Sequence, residues 1–181
     1  MNKKLRLLVT DKCPNKCPLC CNNQFDLEKI PVVERWDYDE ISITGVEPLM
    51  FDLPFAQQLA MGIKMVCAAQ YNSSPKIWLY TANFEASKVA DALTAFDGIV
   101  ITPHKEKDIK DFVILNHYLL GMNGNGIINA CRSLRLNLFA DMKELLPENI
   151  DLSLWKIKDM EWQKDCPVPE GEDFRRIAKL W

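Results

Sequence analysis

The sequence has few histidines and no long apolar run. His104 and His117 are its only histidines and stand apart from each other, so a zinc site built on a histidine pair is not indicated. No segment reaches about 18 consecutive apolar residues, the length typical of a membrane-spanning helix. We therefore expect no association with a membrane.

Basic residues are not in excess either. The chain has 22 lysines and arginines against 25 aspartates and glutamates, which gives a net charge of −3. A surface that coats nucleic acid is usually strongly basic, so we expect no nucleic-acid partner. The apolar run over 5–10 is too short for the core of a signal peptide, and Asp11 and Lys12 end it. A cytoplasmic location is therefore expected.

The length and composition indicate one globular domain over 1–181. A chain of 181 residues can bury roughly 70 % of its unfolded surface around a single core. We find no internal repeat, no low-complexity tract and no linker that would divide the chain.

Short apolar runs alternate with longer helical patterns. Strands are predicted at 5–10, 40–45, 76–82, 98–103, 135–140 and 154–160. Helices are predicted at 54–70, 85–96, 106–121 and 171–181. Gly98 follows the second helix, where a C-terminal stop would stand, and "NGNG" (123–126) predicts a turn.

This alternation predicts repeated βαβ crossovers, and therefore an α/β fold with a parallel sheet. Eight such units usually take about 250 residues, so this chain has room for about six. Either an open doubly wound sheet or an incomplete barrel fits that number. In both folds ligands gather at the carboxyl ends of the strands.

Four of the seven cysteines lie within nine residues, in "CPNKCPLCC" (13–21), directly after the first strand. In a reducing compartment, clustered thiols hold a metal or do chemistry more often than they form disulfides. Cys67 lies in an apolar helical stretch and is predicted to be a small buried hydrophobic residue. Cys131 and Cys166 are scattered, and we expect them to be structural or free.

Cys13, Cys17 and Cys20 have the spacing C-x3-C-x2-C, which lets one loop wrap three thiolates around one centre. A structural zinc ion needs four protein ligands. Cys21 is the available fourth thiolate, but neighbouring residues such as Cys20 and Cys21 rarely aim both side chains at one ion. A 4Fe–4S cluster also takes four ligands, so three cysteines leave one iron open for chemistry. A non-catalytic zinc- or iron–sulfur-binding module is the alternative.

Two motifs together resemble a known family. C-x3-C-x2-C after a first strand resembles the signature of the radical S-adenosylmethionine superfamily. "ISITGVEPLM" (41–50) resembles the Gly-Gly-Glu-Pro motif that ends the second strand in that family. Val46 stands in place of the second glycine, and Leu19 stands where an aromatic residue is common. About 25 residues separate the motifs, which fits one crossover.

The resemblance implies a partial (β/α)6 TIM-like barrel with parallel strands. It also implies two cofactors, a 4Fe–4S cluster on Cys13, Cys17 and Cys20, and S-adenosylmethionine bound at the open iron. The residues expected to contact S-adenosylmethionine are Leu19, Thr44, Gly45, Val46, Glu47, Pro48, Thr81, Asn83, Thr102 and Asn137.

The implied reaction is reductive cleavage of S-adenosylmethionine to a 5′-deoxyadenosyl radical, which takes a hydrogen atom from a substrate. An electron donor such as flavodoxin or ferredoxin would serve as a partner. The small size favours an activase that places a glycyl radical on a partner protein. The alternative enzyme is a 7-carboxy-7-deazaguanine synthase, whose Ser-Pro-Lys run is faintly like 102–105 here. Independently of that alternative, His104 and Lys105 follow the fourth predicted strand, where a positive charge would either meet a substrate or cofactor carboxylate or belong to a solvated turn.

Overall fold

A computed structural model describes residues 3–15, 17, 20, 23, 26–45, 47–50, 53–124, 132–162 and 168–180. Within these ranges the chain folds around one sheet of seven strands, and all neighbouring strands run parallel. Several residues singled out from the sequence lie outside the described residues, namely Leu19, Cys21, Val46, Cys131 and Cys166.

The strands are β1 (Lys4–Leu8), β2 (Glu40–Thr44), β3 (Lys76–Thr81), β4 (Gly98–Ile101), β5 (Ser133–Phe139), β6 (Trp155–Met160) and β7 (Glu172–Arg176). The helices of the described residues are α1 (Leu53–Tyr71), α2 (Ala86–Ala92), α3 (Glu106–Gly124) and the single turn α4 (Ala140–Lys143). Short 3-10 turns occur at Leu27–Lys29 and Pro48–Met50.

The strand order is β6-β5-β4-β3-β2-β1-β7. From β1 to β6 each strand lies beside its predecessor, with α1, α2 and α3 as successive crossovers. A doubly wound sheet reverses its order at a switch point, whereas the order from β1 to β6 does not reverse, and of the described strands β7 alone returns to the other side of β1. The predicted α/β class with parallel strands is confirmed, and the sequential order is the one that a partial (β/α)6 barrel has.

Alternate strand residues form the core on the face of the sheet that the helices cover. Successive side chains of a strand point to opposite faces, so each strand contributes every second residue. Helix residues such as Phe112 and Leu115 complete the same cluster. The strand members of this core, each at most 3 % exposed, include Leu5, Leu7, Ile41, Ile43, Ile77, Leu79, Ile99, Ile101, Leu134 and Leu136.

The core also contains a polar clamp that holds β6 to α3. Asn116 of α3 is fully buried, and its side-chain amide donates to the carbonyl oxygen of Asp151 at 2.8 Å. Its side-chain oxygen accepts a hydrogen bond from the indole nitrogen of Trp155 at 2.8 Å. Because both polar ends of the amide are satisfied, it can be buried without a large penalty.

The predicted helix over 171–181 is wrong, because residues 172–176 form the seventh strand. This strand, β7, pairs with β1 in register from Lys4 opposite Glu172 to Leu8 opposite Arg176. Arg6 and Glu172 form an ion pair across the two strands at 2.9 Å. The unpaired edge of β1 offers a row of backbone donors and acceptors, and pairing with that edge overrides the local helical pattern.

Two helix ends also differ from the prediction. The helix predicted over 85–96 stops at Ala92 and continues as a tight turn, in which the Ala95 amide donates to the Ala92 carbonyl. The turn predicted at 123–126 is partly helical, since α3 runs to Gly124, and residues 125–126 lie outside the described ranges. Across the described part of the chain, none of the helices combines the length and apolarity needed to cross a membrane.

Gly98 opens β4 rather than ending a helix. An added Cβ would stand 2.3 Å from the nearest ring carbon of Trp78 and 2.7 Å from the carbonyl oxygen of Ser133. The Trp78 ring therefore crosses the β4 backbone at this position, and the Arg135 guanidinium carbon lies 3.8 Å from the ring centroid. Only a residue without a side chain fits under that ring.

We predict that Gly98→Ala lowers the free energy of unfolding by about 1–3 kcal/mol, the usual cost of overpacking. The matched control is Gly62→Ala in α1, where an added Cβ meets no atom within 4 Å. It should raise the stability by about 0.5–1 kcal/mol, because alanine favours a helix interior over glycine. Urea unfolding of both variants measures the difference, and equal stability of Gly98→Ala and the parent would contradict the account of the Trp78 ring.

Candidate functional site

The segment from Val9 to Asn23, named the cysteine loop here, begins directly after β1. Its thiols Cys13, Cys17 and Cys20 are half-buried, and none of them is in a disulfide. Two short turns shape its second half, because the Cys20 amide donates to the Cys17 carbonyl at 3.2 Å and the Asn23 amide donates to the Cys20 carbonyl at 3.0 Å. The loop therefore brings three reduced thiols to the carboxyl edge of the sheet.

The thiols influence one another electrostatically. Burial raises the pKa of the Cys17 thiol, and the charges of Cys20 and Cys13 raise it further. Burial also raises the pKa of the Cys13 thiol. The hydrogen bond that the Asn15 backbone amide donates to the sulfur at 3.3 Å lowers this pKa in part. The positive charge of Lys105 lowers the pKa of both thiols. Mutual repulsion of this kind is relieved when a cation binds the thiolates.

The donor set suits a thiophilic metal centre. Soft thiolate ligands select zinc, copper(I) and iron–sulfur clusters. In the described residues no group of three or more His, Cys, Asp or Glu side chains is arranged to hold a metal ion. A 4Fe–4S cluster binds each thiolate through a different iron, so its ligands need not converge on one ion.

A tight turn at the end of β2 lies next to the cysteine loop. Gly45 has a φ of +89°, a conformation that residues with side chains rarely adopt. An added Cβ there would also stand 1.9 Å from a Cδ atom of Leu8 in β1. A glycine is therefore favoured at this position.

Glu47 is buried, with 2 % of its surface exposed, and its carboxylate accepts three hydrogen bonds. Its Oε1 accepts from the Leu49 amide at 3.0 Å and from the Thr81 hydroxyl at 2.5 Å, while its Oε2 accepts from the Ala82 amide at 2.7 Å. Its own amide donates to the Lys12 carbonyl at 3.1 Å. Glu47 thus ties together the chain segments that leave β1, β2 and β3.

These contacts define what Glu47 can do. Burial raises the pKa of the Glu47 carboxyl, and the hydrogen bonds from Thr81, Ala82 and Leu49 act in the opposite direction. An ionised carboxylate has about four acceptor sites, of which the protein already uses three. Its side chain is therefore chiefly a structural anchor of the site.

The other residues predicted at the β2 and β3 ends surround this anchor. Thr44 is the half-buried last residue of β2, and Pro48 is buried at the start of the following 3-10 turn. The Thr81 hydroxyl accepts from the Asn83 amide at 2.9 Å, and the Asn83 side-chain oxygen accepts from the Glu85 amide at 2.9 Å. Asn83 thereby shapes the turn that leads into α2.

Thr102 follows β4 and Asn137 lies in β5, and both are predicted to contact the same ligand. The Asn137 amide donates to the Thr102 hydroxyl at 3.3 Å. Asn137 alternates along β5 with the core residues Leu136 and Leu138, so it lies on the sheet face turned away from the helices. The Thr102 backbone amide donates to the Thr81 carbonyl at 3.4 Å, so the pair is joined to the end of β3. Neither Thr102 nor Asn137 is among the residues that line the cleft next to the cysteine loop.

A cleft of about 460 Å³ opens between the cysteine loop, the end of β3 and the first turns of α3. Its volume lies in the range of small-molecule sites, about 300–1,000 Å³. The lining combines both signs of charge with amide and apolar groups, and it includes Asn15, Glu47, Met50, Asn83, Lys105, Asp108 and Ile114.

Two residues of this cleft were not predicted from the sequence. Asn15 accepts a hydrogen bond from the Lys105 ammonium at 2.9 Å. Asp108 is 5 % exposed and accepts from the His104 amide at 2.9 Å. Asp108 carries a recognisable signal, since acidic residues are common in the first turn of a helix such as α3. Asn15 has no such signal in the sequence, because its partner, Lys105, lies 90 residues away.

His104 belongs to an aromatic cluster beside the cleft. Its ring centroid lies 5.8 Å from that of Phe139 and 5.7 Å from that of Trp162, and these two rings stack at 4.0 Å. Burial lowers the pKa of His104, and its buried Nδ1 has no hydrogen-bond partner in the described part of the structure. His117 is exposed on α3, where its Nδ1 contacts the Val113 carbonyl at 2.9 Å. The two histidines therefore form no joint site.

Comparisons with protein-family models, with curated proteins and with solved structures find no match to this chain. A functional assignment therefore depends on the residues and the geometry described above.

We predict that Glu47→Ala lowers the free energy of unfolding by about 2–4 kcal/mol, because buried donors at Thr81, Ala82 and Leu49 lose their acceptor. The matched control is Glu85→Ala on the rim of the same cleft. Glu85 is exposed and pairs with Lys88, so its removal should leave the unfolding midpoint nearly unchanged. Chemical denaturation measures both variants, and a Glu47→Ala chain as stable as Glu85→Ala would disprove the anchor.

The raised pKa of Glu47 also predicts a pH dependence. The folded state holds this proton to a higher pH than the unfolded state, whose pKa is near 4.5. Protonated Glu47 therefore makes its full contribution to the free energy of unfolding below pH 4.5, and this contribution is lost as the pH rises through the pKa of Glu47 in the folded state. We expect the stability difference, parent minus Glu47→Gln, to fall over this interval in denaturation at several pH values. A difference that is constant or rises with pH contradicts the prediction.

Proposed function

We propose that this chain is a radical S-adenosylmethionine enzyme in which Cys13, Cys17 and Cys20 hold a 4Fe–4S cluster. The observation that carries the proposal is that the two motifs are adjacent, because the Glu47 amide donates at 3.1 Å to the carbonyl of Lys12, the residue directly before Cys13. Either motif alone is short. Their adjacency at the carboxyl edge of a parallel sheet, where ligands gather, supports a joint site.

The chemistry that a bound cluster would supply is one-electron reduction of a sulfonium, which gives a 5′-deoxyadenosyl radical able to take a hydrogen atom from a substrate. The chain itself binds and orients. Carbonyl groups of the Gly45 turn are acceptors for an ammonium group of the cofactor, and Asn83 adds a polar side chain to the cleft wall. Leu19, Val46, Thr102 and Asn137 complete the proposed contacts.

The proposed setting is the cytoplasm, with an electron donor such as flavodoxin or ferredoxin. For the substrate we favour a partner protein, as in an activase that installs a glycyl radical. Met50 and Ile114 line the cleft and are 47 % and 65 % exposed, and such apolar side chains suit contact with another chain. The volume of the cleft favours the alternative, a small-molecule enzyme of the 7-carboxy-7-deazaguanine synthase kind.

The test is anaerobic reconstitution with iron and sulfide, followed by reduction with dithionite in the presence of S-adenosylmethionine. We expect brown protein with about four irons per chain and formation of 5′-deoxyadenosine. Cys13→Ser, Cys17→Ser and Cys20→Ser should each lose the cluster and the product. Cys21→Ser, the adjacent control, should keep both.

Two results of this experiment would contradict the proposed function. A colourless protein that binds zinc through four ligands, and that needs Cys21 as much as the other three, is a structural metal-binding module. A brown protein whose reduced cluster never yields 5′-deoxyadenosine is an iron–sulfur protein of another class. Either result overturns the proposed function.

A further inference from the structure

A lysine from a distant part of the chain reaches the cysteine loop. The Lys105 ammonium donates to the side-chain oxygen of Asn15 at 2.9 Å, although the two residues are 90 positions apart. The backbone amide of the same Asn15 donates to the Cys13 sulfur at 3.3 Å. One short path of hydrogen bonds therefore joins the connection between β4 and α3 to the first of the three thiols.

The base of this lysine is held firmly. The Asp108 amide donates to the Lys105 carbonyl at 2.9 Å, and the Asp108 carboxylate accepts from the His104 amide at 2.9 Å. The same carboxylate lies 4.0 Å from the Lys105 ammonium. Because Asp108 is 5 % exposed, it fixes the backbone from which Lys105 extends and faces its charge.

The neighbouring Lys107 gives a direct contrast. Its ammonium pairs with Asp111 of the same helix at 2.7 Å, and its side chain is 76 % exposed. Both lysines line the cleft, but the Lys107 bond stays within one helix turn. Lys105 instead joins the connection between β4 and α3 to the cysteine loop, two segments that are far apart in the sequence.

We propose that Lys105 is a clasp that holds the cysteine loop against the start of α3, through Asn15. In this role it is a positioning residue, because it acts on the thiols through Asn15 and through its charge. The clasp limits how far the loop can open, and it keeps Cys13 in the arrangement from which a metal centre is bound. The role of the thiols as ligands of a metal centre rests on the proposed function, whereas the clasp itself rests on the contacts of Lys105 and Asn15.

The first experiment uses the metal-free chain and follows amide hydrogen exchange in the peptide that contains Asn15. We expect Lys105→Met to speed exchange there about three- to tenfold, since a charge-assisted hydrogen bond at a partly exposed site is lost. Lys107→Met should leave it at the parent rate. Lys105→Arg, which keeps a cationic donor, should restore most of the protection. Equal exchange in Lys105→Met and Lys107→Met would overturn the clasp.

A double-mutant cycle tests whether Lys105 acts through Asn15. If it does, Asn15→Ala and Lys105→Met each speed exchange, and the double variant is no faster than the faster single variant. Effects that multiply in the double variant would show independent action and would overturn the proposed path.

Metal binding provides a second readout that does not use activity. Titration with Co²⁺ reports thiolate ligation through its sulfur-to-metal absorption, and we expect Lys105→Met to weaken this binding by a factor similar to the change in exchange. Lys107→Met should bind as the parent does. If the parent takes up no cluster but the exchange results hold, the proposed function fails and the clasp stands. If the parent makes 5′-deoxyadenosine and Lys105→Met changes neither exchange nor Co²⁺ affinity, the clasp fails alone.

Discussion

The edge of the sheet that carries the site depends on one buried carboxylate. Glu47 lies where the chain leaves β2, and its three acceptor bonds reach the Leu49 amide of its own turn and two groups at the end of β3. Its amide holds the Lys12 carbonyl, so the segment after β1 is fixed as well. A buried carboxylate is costly unless it is hydrogen-bonded, and these donors offset part of that cost, since the pKa of Glu47 is still raised by burial. Glu47 also bears on the position of the thiols, because Lys12 belongs to the cysteine loop and directly precedes Cys13.

Much of this architecture follows from local pattern. The six predicted strands occur within a few residues of their expected places. Burial alternates with period two in β1, β2 and β5, whereas β4 is a short, wholly buried apolar run. The long helices α1 and α3 also follow their apolar periodicity. The strand β7 could not be predicted in this way, since residues 172–176 become a strand only because β1 offers an edge for pairing. Its alternation is weak, and its partner is remote in sequence.

The site was predictable to a similar extent. Gly45, Glu47 and Thr81 come together as expected, because parallel strands bring their carboxyl ends to one edge. The Asn137 side-chain amide donates to the Thr102 hydroxyl, and the Thr102 backbone amide donates to the Thr81 carbonyl, so these two residues are linked to the end of β3. Their contact with a ligand stays a prediction. Lys105 illustrates the limit of sequence reasoning. Its sequence context indicates a charged turn, whereas its partner, Asn15, is chosen by the tertiary fold.

The place of β7 has a consequence for biosynthesis. The Arg6–Glu172 ion pair joins residues 166 positions apart, and it lies on the strand that leads directly into the cysteine loop. A ribosome adds about 5–20 residues per second, so β1 is made well before β7, its neighbour in the sheet. During that interval the nascent chain already carries its thiols next to a strand edge that β7 has yet to cover. A metal centre inserted in that interval would therefore meet a sheet that still lacks β7.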